Sequence, residues 1–269
     1  EEKAVIGLKQ LAWESLDQQA PRCLALARPW PSCLSTMQDE EKAVILAKVA
    51  ERADRYNDMS MFMKERVEKG GALSAEERDL FSAAYKGSLT SRRYAVRVAA
   101  SVEAQEAELG NQKEAQHARG YRSKVEAELQ KICDEALGLL KSNLIPKAEA
   151  GEPKAFYLKM QGDYCRYSAE WMTGDQRSQV ARDANESYGL ATDEANKFLL
   201  PTHPVRLSLA LNFSVFQHEV FGQTDGAIMT AKAALQSAAA DVVSLPEEAQ
   251  KDAEPTMQLL QDNIKLWEG

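Results

Sequence analysis

Two stretches of the sequence place charged side chains at spacings that bring them onto one face of a helix. In YKGSLTSRRYAVR (85–97), Lys86, Arg93 and Arg97 stand at i, i+7 and i+11, so the three cations project from the same side. In FYLKMQGDYCRYSAE (156–170), a second charged stripe runs at i, i+4, i+7 and i+11 through Lys159, Asp163, Arg166 and Glu170. Cations grouped on a rigid element can bind an anion.

The second stripe lies on a segment that is otherwise rich in aromatic and apolar residues, namely Phe156, Tyr157, Leu158, Met160, Tyr164 and Tyr167. Its charges are therefore expected to face a crevice and not open water. Two arginines and a tyrosine hydroxyl that converge in such a crevice would suit a phosphate dianion, because guanidinium groups donate paired, charge-assisted hydrogen bonds. A solvated helix face with i,i+4 ion pairs is the alternative, and both interpretations stand at this point.

Two asparagines interrupt apolar helical patterns near the end of the chain, Asn212 in 205–220 and Asn263 in 252–267. Asparagine is a poor helix former and costs free energy when buried without a partner. Each one therefore caps something, faces solvent or holds the backbone of a ligand. As a pair they could clamp an extended peptide through its amide groups. The apolar wall of such a site would consist of Leu211, Val215 and Leu259.

The elements that must position these residues are helices. Segment 118–145 repeats apolar residues every three or four positions, and no segment alternates as a strand would. Gly70 and Gly71 stop one helix, and Ser74 with Glu77 forms the capping box that starts the next. Such breaks divide the chain into nine helices, at about 39–53, 56–69, 75–109, 114–145, 153–172, 176–198, 204–221, 225–243 and 248–267. Short connections imply antiparallel neighbours in an all-α array.

The last helices carry two neighbouring stripes each. On the seventh, Leu209, Phe213 and Phe216 are predicted to face the core, whereas the stripe with Asn212 is separate from it. The predicted core face of the ninth helix consists of Ala253, Met257, Leu260, Ile264 and Trp267. These stripes predict which residues are left for a ligand.

Charge and composition argue against several classes of function. The net charge of −8 disfavours general nucleic-acid binding, because the field of the protein repels a polyanion. The four cysteines and three histidines show no metal-ligand spacing, so we predict free thiols, no metal and no other cofactor. No apolar run reaches the roughly 18 residues of a membrane span. No hydrolase, protease or nucleotide-binding motif is present, and Cys165 is a weak candidate nucleophile without a nearby histidine.

Six segments closely resemble the 14-3-3 proteins, in the order found in that family. They are RADRYNDM (52–59), LSAEERDLFSAAYK (73–86), RR (92–93), FYLKMQGDYCRYSAE (156–170), PTHPVRLSLALNFSVFQHE (201–219) and MQLLQDNIKLW (257–267). The resemblance implies nine antiparallel helices, in agreement with the helix count above. It also implies a dimer in which each protomer has an amphipathic groove that binds a phosphoserine or phosphothreonine peptide.

The resemblance assigns roles to individual residues. The phosphate pocket would consist of Lys86, Arg93, Arg166 and Tyr167. Lys159 would line the groove beside this pocket, and Asn212 and Asn263 would hold the peptide backbone. The groove wall would consist of Leu211, Val215, Leu259 and Trp267, with Glu219 nearby.

The resemblance further implies a homodimer, with heterodimers left open. Across the seam, Arg55 would pair with Glu128, and Asp58 would pair with Lys124. The residues that would support these pairs are Val49, Ala53 and Tyr121. Because exposed ion pairs contribute little, the apolar contacts of the seam should dominate its stability.

Five positions depart from the family pattern. Pro255 and Thr256 stand where family members usually have leucine and isoleucine, so the groove wall is less apolar here. Gln161 replaces a usual lysine and Val96 a usual tryptophan, both outside the phosphate pocket. Ala95 stands where a dimer-regulating serine is often found, so control by phosphorylation at that position is in doubt.

The hexapeptide EEKAVI occurs twice, at 1–6 and at 40–45, where it opens the first of the nine helices. We predict that residues 3–18 form a further helix, which packs near the dimer edge or competes for the seam. Coincidence between two helix starts rich in Ala, Glu and Lys is the alternative. The chain therefore divides into an N-terminal extension, 1–37, and a 14-3-3-like domain, 38–269.

The sequence thus predicts a phosphopeptide-binding adaptor and not an enzyme. Its expected partners are phosphorylated Ser/Thr peptides and client proteins, not nucleic acid, and its expected location is the cytoplasm, with access to the nucleus. A helical scaffold that binds partners irrespective of phosphate, with a vestigial pocket, is the alternative function.

Overall fold

A computed structural model of the chain describes residues 39–242 and 246–269. Within these ranges the protein consists of helices and the turns that join them, with no β-strand. This result confirms the all-α class and the number of helices predicted for this part of the chain. The predicted helix over residues 3–18 and the extension 1–37 lie outside the described residues, so both stay predictions.

Nine α-helices follow one another along the described residues. They are α1 (Asp39–Arg52), α2 (Tyr56–Glu68), α3 (Ala75–Glu108), α4 (Gln112–Leu139), α5 (Glu152–Ser168), α6 (Gly174–Phe198), α7 (Pro204–Glu219), α8 (Thr224–Val242) and α9 (Glu247–Glu268). None of these nine is both long enough and apolar enough to cross a bilayer. The predicted bounds differ most from the observed ones at the ends of α4 and α5.

The end of α4 shows the reason for this difference in bounds. The regular helix stops at Leu139, and the chain continues through a π-helical turn (Leu140–Leu144) and a 3-10 turn (Ile145–Lys147). Pro146 accounts for the change, because it has no N–H to donate to the carbonyl four residues earlier. Apolar spacing alone could not reveal this change in helix type.

The start of α3 has the predicted capping box. Ser74 Oγ accepts a hydrogen bond from the backbone N–H of Glu77 at 3.2 Å, and the backbone N–H of Ser74 donates to Glu77 Oε2 at 2.7 Å. Just before it, Gly70 and Gly71 adopt φ angles of +94° and +77°, a region that favours glycine. These residues separate α2 from α3 and fix the start of the helix that carries Arg93.

Residues 39–198 form one compact unit. Within it α1 packs on α2, α2 on α3, α3 on α4, and α5 on α6. Its main core contains large buried side chains, including Met59, Met63, Phe81, Tyr85, Leu89, Leu129 and Leu140. Tyr157, Met160, Tyr164 and Tyr167 of α5 belong to the same core. Because α3 and α5 share this core, their charged stripes are held close to each other.

Residues 199–269 form a second compact unit, in which α7, α8 and α9 pack against one another. Its core consists of Leu207, Leu211, Ala231, Ala238, Ala253, Leu260 and Ile264. The His203 side chain caps α7 by accepting a hydrogen bond from the N–H of Val205 at 3.2 Å. α9 contains Pro255 in its interior, which removes one hydrogen bond of the helix.

Replacing Ser74 with alanine is expected to lower the free energy of unfolding by about 1 kcal/mol, because the amide of Glu77 loses its side-chain acceptor. Urea denaturation followed by circular dichroism measures the change. Ser101→Ala, at an exposed position inside α3, is the matched control and should leave the stability unchanged or slightly raised. Equal destabilisation by both substitutions would contradict a specific role of the cap.

Candidate functional site

A cluster of charged and aromatic side chains joins α3, α5 and α6. α5 and the turn after it supply Asp163, Arg166, Tyr167 and Glu170, at i, i+3, i+4 and i+7. Arg93 comes from α3 and Tyr188 from α6. Arg93 and Arg166 are each only 4% exposed, and Asp163 is 6% exposed. The predicted stripe on α5 therefore faces the interior of the first unit and not open water.

Arg166 contacts both Tyr188 and Asp163. Its Nε donates to the hydroxyl of Tyr188 at 3.1 Å, and its Nη2 lies 3.5 Å from Oδ1 of Asp163. The Tyr188 hydroxyl in turn donates to the same oxygen of Asp163 at 2.6 Å. The guanidinium, the phenol and the carboxylate thus form a closed triangle of polar contacts.

Arg93 forms a two-pronged ion pair with Glu170. Its Nε donates to Oε2 at 3.1 Å, and its Nη2 donates to Oε1 at 2.8 Å. Two parallel hydrogen bonds of this kind fix the plane of a guanidinium as well as its position. The pair also ties α3 to the turn after α5.

The ring of Tyr167 lies against both guanidinium groups. Cζ of Arg93 is 4.4 Å from the ring centroid, and Cζ of Arg166 is 4.7 Å from it. Each such contact contributes about 0.5–2 kcal/mol, the larger value applying where water is excluded. The structure therefore brings together three of the four residues predicted for the phosphate pocket, around one aromatic ring.

Lys159 joins the cluster through Asp163. Its Nζ donates to Oδ2 of that carboxylate at 3.0 Å. Burial alone would raise the pKa of Asp163, but the charges of Lys159 and Arg166 and the hydrogen bond from Tyr188 hold this pKa below its usual value. The carboxylate consequently stays ionised at neutral pH and keeps both cations in place.

The α3 stripe differs in exposure along its length. Lys86, two turns before Arg93, is half-buried, whereas Arg97, one turn after Arg93, is exposed. In the cluster itself, Arg93, Lys159 and Arg166 face two carboxylates. The cluster thus carries one net positive charge before Lys86 is counted, which suits an anion.

The residues predicted to contact a peptide backbone lie on α7 and α9 of the second unit. Asn263 is 7% exposed. Asn212 is half-buried. Leu259 and Trp267 are also half-buried, at the edge of the core, and Glu219 is exposed.

Leu211 and Val215 are more deeply buried than the sequence predicts. The pattern separates them from the core face of α7, but each is 3% exposed, and Leu211 belongs to the core of the second unit. This part of the prediction is wrong, because α7 contacts both α8 and α9, which widens its buried arc beyond one stripe. Of the predicted core face, Leu209 and Phe216 are buried, whereas Phe213 is half-buried.

Comparison with known proteins shows what this chain is similar to. Residues 46–268 match the family model described as 14-3-3 protein. The chain belongs to the 14-3-3 family. It is 47% identical over 229 residues to 14-3-3 protein 2 of Solanum lycopersicum, covering 84% of this chain and 90% of that protein. It is 49% identical over 228 residues to 14-3-3-like protein 2 of Caenorhabditis elegans, covering 85% and 91%. For 14-3-3 protein 3 of Entamoeba histolytica the identity is 44% over 230 residues, covering 86% and 96%.

Membership of the 14-3-3 family also indicates whether this chain is an enzyme. The proteins of this family are adaptors and not enzymes, which confirms the prediction for this chain. Within the residues that the structure describes, no group of three or more His, Cys, Asp and Glu side chains could hold a metal ion.

The sequence patterns do not reveal two residues of the cluster that joins α3, α5 and α6, namely Tyr188 and Gly162. Gly162 lies inside α5, and a Cβ atom placed there would be 2.8 Å from two ring atoms of Tyr188. The absence of a side chain therefore makes room for the ring. A glycine inside a helix is the signal that could have pointed to this close approach, because glycine weakens helices. No comparable signal marks Tyr188.

Residues assigned to the 14-3-3 dimer seam lie at the surface of the first unit. Val49 is 42% exposed and Tyr121 is 56% exposed. Ala53 and Lys124 are exposed as well. Beside Tyr121 the structure has an open, mainly apolar groove of about 430 Å³, lined by Val98, Ala99, Val102, Glu106, Glu114, His117, Ala118 and Tyr121.

Three of the four ionic residues assigned to this 14-3-3 seam, Arg55, Asp58 and Glu128, have partners within the chain. Arg55 forms a hydrogen-bonded ion pair with Asp58, one turn further along. Glu128 accepts a hydrogen bond from Nε of Arg92 at 3.0 Å. Any pairing of Arg55 and Glu128 between protomers would therefore exchange one set of ion pairs for another.

The two cysteines within the described part of this 14-3-3 chain, Cys133 and Cys165, are free and buried. Burial raises the pKa of each thiol to about 12. A thiol with so high a pKa is protonated at neutral pH and is a poor nucleophile. The structure therefore agrees with the prediction that Cys165 is a weak candidate nucleophile.

Cys133 and Cys165 are expected to resist iodoacetamide at about pH 8 in the folded protein, because with a pKa of about 12 roughly one thiol in ten thousand is ionised. Mass spectrometry of the digested protein locates the alkylated cysteines. The same reaction in guanidinium chloride is the control, in which both should be modified. Rapid alkylation of Cys165 in the folded protein would contradict the prediction.

Proposed function

We propose that this 14-3-3 protein is an adaptor that binds phosphoserine or phosphothreonine segments of client proteins at the cluster around Tyr167. The observation that carries the proposal is the pair of buried guanidinium groups, Arg93 and Arg166, that lie against one aromatic ring. Charges interact more strongly in such a poorly hydrated site than in water. A dianion gains more from this arrangement than a neutral hydroxyl does. The place of action we propose is the cytoplasm, with access to the nucleus.

Each member of the pocket has a distinct role in this proposal. Arg93 and Arg166 donate charge-assisted hydrogen bonds to phosphate oxygens, which guanidinium geometry suits. Lys86 contributes a point charge, and the hydroxyl of Tyr167 is a further donor. Lys159 lines the groove beside the phosphate. Phosphorylation adds the charge that a serine or threonine lacks, so the kinase that modifies the client controls binding.

In this proposal, residues of the second unit contact the peptide backbone. The position of Asn263 supports this role, because a largely buried amide, only 7% exposed, gains free energy when a ligand supplies hydrogen bonds. Asn212, which is half-buried, would also contact the peptide backbone. Leu259 and Trp267 would provide apolar contact. Leu211 and Val215, each 3% exposed, would be the buried part of this wall, and Glu219 is exposed at the end of α7.

Arg166→Ala is expected to weaken binding of a phosphoserine peptide by about 30-fold to several thousand-fold, since breaking a buried charge pair costs about 2–5 kcal/mol. Fluorescence polarisation of the labelled peptide, and of its unphosphorylated twin, measures the effect. Arg182→Ala is the matched control, because Arg182 is exposed on α6 and bonds only to Gln179 one turn earlier.

Two outcomes of this titration would count against the proposal. Equal affinity of the unmodified protein for the two peptides would show that phosphate is not recognised. Unchanged capture of client proteins by Arg166→Ala would favour the alternative, a helical scaffold with a vestigial pocket.

We also propose that the protein acts as a homodimer, with heterodimers left open, through the surface that contains Val49, Ala53 and Tyr121. Supporting this proposal, the apolar groove next to Tyr121 is open, and Val98 and Val102 in it are 42% and 41% exposed. The pairs Arg55–Glu128 and Asp58–Lys124 would form across the seam. Because partners within the chain must be given up, these pairs should add little net stability.

Val102→Glu is expected to raise the dimer dissociation constant by about 100-fold or more, because a carboxylate would be buried among apolar groups without a partner. Sedimentation velocity over a range of concentrations measures the constant. Leu190→Glu, at a position on α6 that is 50% exposed and outside the groove, is the control and should have no effect. A fully dimeric Val102→Glu protein would refute this location of the seam.

A further inference from the structure

Tyr188 differs from the other residues of the cluster because it is completely buried. Neither the family resemblance nor the charged stripes assign it a role. Its relative exposure is 0%, and it lies on α6, 22 residues after Arg166. Its hydroxyl accepts from Nε of Arg166 at 3.1 Å and donates to Oδ1 of Asp163 at 2.6 Å. One oxygen thus joins a guanidinium to a carboxylate.

We propose that Tyr188 is a positioning residue for phosphate binding, whose hydroxyl holds the Nε edge of Arg166 so that the opposite edge of the guanidinium is presented to the ligand. This inference rests on the proposed function. Tyr188 itself does not touch the phosphate in this account and acts through Arg166 alone.

Asp163 alone does not fix the orientation of Arg166. The distance from Nη2 to Oδ1 is 3.5 Å, too long for a good hydrogen bond, and the other carboxylate oxygen accepts from Lys159. The phenol bridges this gap with two shorter hydrogen bonds. Because the phenol is neutral, it orients the guanidinium at Nε without placing a second negative charge there.

The polarity of the bridge is set by its surroundings. Burial, together with the negative charge of Asp163, raises the pKa of Tyr188 well above its usual value, so the hydroxyl keeps its proton. That proton is donated to Asp163, which leaves the oxygen lone pairs to accept from Arg166.

The backbone of α5 makes room for this bridge. The Tyr188 ring occupies the space where Gly162 has no side chain, with two ring atoms 2.8 Å from the site of a Cβ. An alanine at position 162 would have to displace the ring and, with it, the hydroxyl. Gly162, Asp163 and Arg166 on α5 thus form one unit with Tyr188.

Tyr188→Phe tests the proposal, because it keeps the ring in its space and removes only the hydroxyl. We expect affinity for a phosphoserine peptide to fall by about tenfold, as for the loss of a hydrogen bond to a charged group. Tyr164→Phe is the matched control, since Tyr164 is buried on α5 and contacts the ring of Tyr167 edge-on at 5.9 Å. Unchanged affinity in Tyr188→Phe, or an equal loss in both variants, would overturn the proposal.

A double-mutant cycle shows whether Tyr188 acts through Arg166. In an Arg166→Lys protein, which has no Nε–H to hold, adding Tyr188→Phe is expected to cause no further loss of affinity. A further tenfold loss in that background would overturn the positioning role, since a purely structural effect would persist there.

A second readout needs no peptide. In protein with 15N-labelled arginine, the Nε–H resonance of Arg166, assigned with Arg166→Lys, should exchange slowly in the unmodified protein and in Tyr164→Phe. It should exchange rapidly in Tyr188→Phe, and an unchanged resonance would overturn the proposal. If the unmodified protein failed to distinguish the phosphorylated peptide from its twin, the proposed function alone would be refuted, while this resonance would still decide the orientation of Arg166.

Discussion

Two arginine side chains cannot both lie buried against one aromatic ring unless opposite charges and polarisable groups surround them. Removing a cation from water costs several kcal/mol even after the protein relaxes, and two like charges add their mutual repulsion. Glu170, Asp163 and the ring of Tyr167 offset these costs for Arg93 and Arg166. All three come from α5 and the turn after it, so this segment organises the site, and α3 and α6 are positioned against it.

The need to keep the two buried arginines next to their partners also explains features distant from the cluster. A helix rotates its side chains by about 100° per residue, so a shift of one residue at the start of α3 would turn Arg93 away from Glu170. The capping box of Ser74 and Glu77 fixes that start. Gly162 similarly determines how closely α6 approaches α5. Local backbone chemistry thus sets the geometry of a charged site several turns away.

The sequence predicted most of the helices, because glycines, prolines and the capping box mark their ends. The charged stripe on a segment rich in aromatic residues indicated a crevice, and the resemblance to the 14-3-3 proteins predicted that Arg93, Arg166 and Tyr167 converge. The sequence patterns could not predict contacts between different helices. Tyr188 has no pattern of its own, and its role depends on the packing of α6 against α5.

Burial shows the same limit of pattern-based prediction. Periodicity identified two stripes on α7, but it could not show that α8 and α9 together cover both, which is why Leu211 and Val215 were placed outside the core. Apolar spacing also continued smoothly where Pro146 changes the helix type after Leu139. Apolar spacing also could not show that Arg93 is buried whereas Arg97, one turn later on α3, is exposed to solvent.

The pairing of Arg93 with Glu170 has a consequence for the rates of client exchange. Since Glu170 already orders this guanidinium, an arriving phosphate does not have to immobilise it, which would otherwise cost about 0.5–1.5 kcal/mol. Capture is then governed by diffusion and orientation, which differ little among related ligands. Clients that share the phosphate would be captured at similar speeds, and the time each one stays bound would decide which clients occupy the protein.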